Sequence, residues 1–287
     1  MPSRRVETAP RYVLGPLLVL LAALPASLSA QTITTIDFPG ATRTDLFKIN
    51  EDGIIVGAYM DGAGATHGFL LSEGVFSTID VPGAVRTRAG GLNNGGIITG
   101  DFTDTSGNVH GFQLAANVFT VIDVPGATLT RTKGINSAGS IVGDYQDATG
   151  RHGFLLRAGV ITAIDVPGAF FTRAFGVNNK GAIVGDYGDA AGVHAFVLAQ
   201  GQFTRIDVPG AALTEAFGVS ANETIVGRYG PDLLSLHGFA LRQGEFTSVD
   251  VPDAARSEVF DINASGKMVG SYLDPSTGRI RGFVRTP

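Results

Sequence analysis

The sequence predicts an all-β fold, a six-bladed β-propeller of four-stranded antiparallel blades built from repeats of ~43 residues. Three observations carry the prediction. A stretch that reads Ile-Asp-Val-Pro-Gly-Ala at Ile164 to Ala169 recurs along the chain at nearly constant spacing. Most copies carry four turn signals, enough to bound four short strands. No helical period of apolar residues interrupts them.

The elements follow in chain order. Arg4, Arg5 and Arg11 precede an apolar run from Val13 to Leu24, then Pro25 and the small residues Ala26, Ser27, Ser29 and Ala30. Basic, apolar and small-residue regions in that order read as a secretory signal peptide over residues 1–30, cleaved after Ser29 or Ala30. The expected location is therefore secreted, periplasmic or extracellular, and residues 31–287 form one six-repeat domain. The run is too short and too interrupted by Pro and Gly to span a membrane, and nothing later approaches ~18 consecutive apolar residues.

Without residues 1–30, 18 basic side chains face 25 acidic ones, a net charge of −7. That balance excludes a basic patch for nucleic acid or an anionic membrane surface. Cysteine is absent, so neither disulfides nor thiolate metal sites hold the fold. With 40 Gly and only 16% charged residues, the composition suits short strands joined by tight turns.

The Asp before x-Pro falls at Asp37, Asp80, Asp123, Asp165, Asp207 and Asp250, with spacings of 43, 43, 42, 42 and 43. Pro-Gly follows in five copies, as at Pro167-Gly168, and fits a type II turn. Asn-x-x-Gly, as in Asn178 to Gly181, and Asp-x-x-Gly, as in Asp189 to Gly192, suit hairpins. In these the Asn or Asp caps the turn and Gly takes the left-handed position. A short Gly turn near Gly74, Gly159, Gly201 and Gly244 is the fourth signal.

Between the turns the strands read in columns. Ile33, Phe76, Phe119, Ile161, Phe203 and Phe246 alternate with Ile36, Ile79, Ile122, Ile164, Ile206 and Val249, so both faces of the first strand are expected to be buried. The third strand ends in Tyr or Phe, and the fourth carries Phe69, Phe112, Phe154, Phe196, Phe239 and Phe283. A linear solenoid would need polar end caps, yet the first and last copies keep the pattern. Ring closure explains this if Thr32 to Phe38 joins the sheet completed by Arg281 to Val284.

Asn-x-x-Gly-x-Ile-Val-Gly followed by His194-Ala195-Phe196, or by His-Gly-Phe from His67, His110, His152 and His237, resembles the extracellular HAF (His-Ala-Phe) repeat family. The resemblance spans all six repeats. Gly mostly replaces the Ala, and the Trp often found after the Phe is missing. It implies secretion and repetition, and no reaction.

The five His share one column, with Arg281 in the sixth copy. A ring of imidazoles is one way to bind metal, but ligands spread over six blades lie too far apart for ~2 Å bonds unless they line the axis. Pairing with the repeated Asp or with a Thr of a nearby strand is the structural reading, and the shared phase of Asp and His favours it. The Asp side chains themselves are expected to cap their own turn amides. No metal site and no cofactor are expected. Nucleophile-elbow, His-Glu-x-x-His and phosphate-loop signatures are all missing.

Function is more legible where the copies disagree. Five residues before the Asn position stand Asp45, Arg88, Arg131, Arg173, Glu215 and Glu258, predicting a basic arc opposite an acidic one at a rim or channel wall. The bland alternative is exposed charges paired with their neighbours. The fifth copy also departs with Arg228 in place of Asp, Ser220 in place of Asn, and a loop that carries Leu233 and Leu234. The leading expectation is a monomeric secreted binding or scaffold module for a glycan or an extracellular protein. A hydrolase or lyase at the channel mouth is the alternative.

Overall fold

The computed structural model describes residues 31–287, so the expected signal peptide lies outside the described residues. The described chain is all β. After β1 (Thr32–Ile36), a unit forms from β2 (Arg43–Ile49), β3 (Ile55–Met60), β4 (Thr66–Ser72) and β5 (Val75–Ile79). The next comprises β6 (Arg86–Leu92), β7 (Ile98–Thr103), β8 (Val109–Ala115) and β9 (Val118–Ile122). A third holds β10 (Leu129–Ile135), β11 (Ile141–Gln146), β12 (Arg151–Arg157) and β13 (Val160–Ile164). Then come β14 (Phe171–Val177), β15 (Ile183–Asp189), β16 (Gly192–Ala199) and β17 (Gln202–Ile206). The fifth is β18 (Leu213–Val219), β19 (Ile225–Gly230), β20 (His237–Arg242) and β21 (Glu245–Ser248). The last has β22 (Arg256–Ile262), β23 (Met268–Asp274) and β24 (Arg279–Thr286).

Within each unit successive strands pair antiparallel, as short hairpin turns dictate. The last unit takes its fourth strand from the other end of the chain: β1 pairs with β24, Thr32 opposite Thr286 and Ile36 opposite Gly282. The two ends of the domain are thus held in one sheet.

The turns obey their residues. Gly follows Pro at φ near +80° in five Pro-Gly turns, and Asp253 adopts φ +61° in the sixth copy. In the fifth copy Glu223 (φ +63°) occupies the left-handed position that Gly181 and its equivalents hold elsewhere. One expectation is corrected here. The amide after each repeated Asp is not capped by that Asp. Val81 donates to Thr87 Oγ1 at 3.1 Å, and Phe38, Val124, Val166, Val208 and Val251 donate in the same way to Thr44, Thr130, Thr172, Thr214 and Ser257. The Asp is drawn away because its carboxylate pairs with a His, or with Arg281 in the case of Asp37, as described below.

The core sits between neighbouring units. Phe69, Phe112, Phe154, Phe196, Phe239 and Phe283 are all fully buried. Val56 of one unit packs with Ala89, Ile98 and Phe112 of the next, and Val269 of the last packs with Leu46 and Phe69 of the first. Truncating one such Phe to Ala is worth about 3–5 kcal/mol by its burial and the cavity left. The β5-type strands are outer edges: Phe76 and Ile79 turn inward while Val75 is exposed, so burial of the first strand is confined to those two columns. Among the described residues no helix is long and apolar enough to cross a membrane.

Candidate binding site at the central channel

The divergent column comes together in space. Asp45, Arg88, Arg131, Arg173, Glu215 and Glu258 lie on β2, β6, β10, β14, β18 and β22, the strands that line a central channel. A β-bulge just after each, as between Ala174 and Gly176, fixes the pairing register. That register sets the six opposite Ala58, Asp101, Asp144, Asp186, Arg228 and Ser271 of the following strand.

Ion pairs follow. Arg88 donates to Asp101 at 2.7 and 3.2 Å, and Arg86 reaches the same carboxylate at 3.1 Å. Asp144, with no exposed side-chain surface, is paired with Arg151 at 2.7 Å and Arg131 at 3.5 Å. Arg173 bridges Asp186 and Glu215, donating to each at 2.8 Å. In the fifth unit the charges are exchanged across the strands: Arg228 pairs with Glu215 and reaches Glu258 at 2.6 Å. Asp45 is held by Arg43 at 2.6 Å.

The predicted acidic arc is thereby neutralised, by Arg43 on its own strand and by Arg228 on the adjacent one. These partners come from other columns, which is why the column alone suggested two opposed arcs. Net charge sums over the whole surface and does not fix a local balance: contrary to the expectation that no basic patch forms, a one-sided positive excess is what the structure holds. Among the described residues Arg86, Arg88, Arg131 and Arg151 form ion pairs only with Asp101 and Asp144, Lys133 stands beside them unpaired, and Arg86 Nε, Arg131 Nε and Asp144 Oδ1 are buried without a hydrogen-bond partner. Burial, and then the Arg88 charge, bring the Lys133 ammonium down to about 8. Burial pushes the Asp186 carboxyl up to about 7 with Glu215 beside it, although Arg173 opposes the shift. Glu215 is lifted by burial, but Arg228 pulls it below its usual range. Burial also raises Asp261, which closes the channel wall against Lys48 at 3.4 Å.

Two residues along each inner strand lies a second ring that the sequence reading missed. Phe47, Phe260, Phe217 and Phe175 touch edge to face or tilted, with centroids 5.5, 5.4 and 5.0 Å apart. Lys133 Nζ continues the ring 5.7 Å from the Phe175 centroid, and Gly90 leaves its sixth place without a side chain. An unusual Phe column broken by Gly and Lys was the available signal. Nearer the other end of the channel, Asn Nδ2 groups bridge units: Asn93 to the Asn136 carbonyl at 3.2 Å, Asn136 to Asn178 and Asn178 to Ser220 at 3.1 Å, and Asn263 to Asn50 at 3.2 Å.

The His column lies away from the channel. Each Nδ1 faces the repeated Asp: His67–Asp80 at 2.8 Å, His110–Asp123 at 2.9 Å, His152–Asp165 at 2.7 Å, His194–Asp207 at 2.8 Å and His237–Asp250 at 3.1 Å. Arg281 takes the role with Asp37 at 2.6 Å. In four units Nε2 faces a second carboxylate, as in His110–Asp104 at 3.4 Å. Only imidazolium donates to both. Burial lowers the His110 pKa, but Asp123 and then Asp104 raise it to a net value above the ordinary one. A raised folded-state pKa adds stability that is complete below the unfolded value and is lost as pH rises through the folded value. Denaturant unfolding at about pH 5 and about pH 9 is expected to show His110→Gln losing more, relative to the unaltered protein, at the lower pH. Equal losses would contradict the pairing. Leu233 and Leu234 are 59% and 81% exposed on the fifth unit's loop.

Repeated antiparallel sheets with inner strands around a channel define a β-propeller-type protein. Among solved structures the chain is similar to a streptogramin B lyase, at 14% identity over 88% of this chain and 87% of that one, with a TM-score of 0.50. AofleA from Arthrobotrys oligospora matches at 13% identity over 84% and 83%, TM-score 0.54. TolB from Acinetobacter baumannii matches at 11% over 81% of this chain and 63% of that one, TM-score 0.55. At such identities the likeness shows the fold alone. No family model and no curated protein matches the chain.

Proposed function

We propose that the chain is a closed six-bladed β-propeller of the HAF-repeat kind, exported as a monomer, that binds an extracellular polymer at the arginine-bearing mouth of its channel. A glycan or a surface protein is the partner, with anionic groups at the contact. One observation carries the reading: the residues by which the copies differ converge at one place, where the second and third units hold more cations than carboxylates. Propeller-type folds host many unrelated functions, so the site and not the fold supports this choice.

A screen of the purified protein against glycans and cell-wall polymers tests it. Binding to acidic polymers is expected, weakened by salt and reduced about tenfold by Arg88→Ala or Arg131→Ala. His110→Gln should leave it unchanged. Binding that prefers neutral polymers and ignores both arginines would reject the proposal. The competing reading, a hydrolase or lyase, draws on Asp186 and Glu215 as carboxyls of divergent pKa around one arginine. Both are buried behind Arg173, which favours binding over catalysis. Shortening of the polymer that disappears in Asp186→Asn while binding persists would reverse that preference.

A further inference from the structure

Two truncations fall together at the junction of the first and second units. The β3 position opposite the divergent column carries Asp or Arg in four units and Ser271 in the last, but Ala58 in the first. The aromatic ring around the channel carries Phe in four units and Lys133 in a fifth, but Gly90 in the second. Each truncation opens a space. Beside Gly90 a cavity of about 120 Å³ is walled by Phe47, Phe175, Phe217 and Phe260, with Lys48, Arg88, Lys133 and the Arg-paired Asp101 at its polar side. Beside Ala58 a bay of about 180 Å³ is walled by Arg43, Asp45, Arg86, Arg88, Tyr59 and Thr66. The two share Phe47 and Arg88 as common walls, so they adjoin.

Their chemistry is complementary. An apolar cavity of ~150 Å³ is large enough to hold a benzene ring, and the Phe-walled one is of that order. Three arginines of the bay face two carboxylates: Asp45 is taken by Arg43, Arg86 and Arg88 share Asp101, and Arg86 Nε is buried with no acceptor. Lys133 has no hydrogen-bond or ion-pair partner among the described residues, and burial with the Arg88 charge brings it down to about 8. Asn50 Nδ2, whose equivalents bridge to the next unit, is also unpaired at this junction. The bay opens to solvent past Arg43, whose side chain is 45% exposed.

We propose that this junction is a small-molecule site for an aromatic carboxylate. The ring fills the sixth place, left open by Gly90 beside Phe47, and the carboxylate meets Arg88, Arg86 and Lys133. Bidentate pairing of guanidinium with carboxylate gives the orientation, and edge contacts with Phe select a flat ring. The site does not rest on polymer binding: either can fail without the other.

Titration calorimetry of the purified protein with phenylacetate is the test, with benzyl alcohol, acetate and glucuronate as comparisons. Phenylacetate is expected to bind at least about tenfold more tightly than any of the three. Gly90→Phe, which fills the open place in the ring, and Lys133→Met should each weaken it by at least about tenfold while melting stays cooperative. An added Cβ at Gly90 meets nothing nearer than 3.5 Å, so the first variant has room to start. Should Gly90→Phe fail to fold, Ala58→Asp replaces it, since a carboxylate there competes for the same guanidinium groups. No heat with phenylacetate at millimolar concentration would overturn the proposal. So would benzyl alcohol or glucuronate binding as tightly, or affinity indifferent to the variants.

Discussion

Gly185→Ala is expected to destabilise the protein by about 3 kcal/mol, at the upper end of what overpacking costs, and to lower the melting temperature by roughly 10 °C. Nothing about the glycine's own backbone angle demands this. A Cβ placed there would sit 1.9 Å from the Arg173 carbonyl oxygen and 2.8 Å from the Phe196 ring. The carbonyl belongs to the inner strand and the ring fills the core between units, so neither can retreat cheaply. Gly57, Gly100, Gly143, Gly227 and Gly270 show the same approach at 1.9 to 2.0 Å. Two other glycines are internal controls. Gly181 lies in open space at φ +84°, so alanine costs only the left-handed strain of about 1–2 kcal/mol. Gly90 has ordinary backbone and room, so alanine there should be neutral or slightly stabilising. Circular-dichroism melts of the three variants should rank Gly185→Ala lowest by a clear margin. A Gly185→Ala protein as stable as Gly181→Ala would show that the inner strand is not pressed against its neighbour.

Those glycines also mark where reading from sequence stops. Gly185 recurs inside Ile-Val-Gly-Asp-Tyr as visibly as any residue, yet nothing in the text of one strand says which carbonyl of the neighbouring strand leans on it. Turn chemistry is local, so Pro167-Gly168 and Asn178 to Gly181 could be placed from their own residues. Strand alternation is local too, and it located the buried Phe column. The β1–β24 pairing followed from one further consideration, that both ends kept the repeat pattern.

Register was harder, because the bulge at Phe175 and its equivalents shifts each inner strand by one residue against its partner. Without that shift Arg173 would not face Asp186, and Glu215 would not face Arg228. Thus the divergent column and Arg228 were both visible while their pairing was not, and the acidic half read as freer than it is. The repeated Asp misled for a related reason. Turn capping is the commonest local use of such an Asp, but a His thirteen residues upstream in the chain, paired across the hairpin, wins its carboxylate. The Phe ring was not legible because nothing within one strand says that Phe47, Phe175, Phe217 and Phe260 meet one another across the units instead of packing in the core between them.

Arg173→Met is expected to cost about 3–5 kcal/mol near pH 8, because it strands two buried carboxylates rather than removing one surface pair. Arg173 is the cation between Asp186, which has no exposed side-chain surface, and Glu215, which has 4%. Arg228 remains to hold Glu215, so Asp186 bears most of the loss. Burial already pushes Asp186 up to about 7 with the arginine in place, and its removal raises the carboxyl further. A carboxyl whose folded-state pKa exceeds its unfolded value is tolerated best when protonated, so the deficit shrinks as pH falls and grows as pH rises through the raised value. Urea unfolding at about pH 5 and about pH 8 should therefore show a smaller gap between variant and parent at the lower pH. Adding Asp186→Leu should return most of the lost stability at the higher pH, since an apolar side chain of similar size leaves no charge to solvate. A deficit independent of pH, or one that the second substitution fails to relieve, would mean that Arg173 acts through the packing of its stem over Phe171 and Phe175, whose ring centroids lie 5.1 and 5.4 Å from its guanidinium.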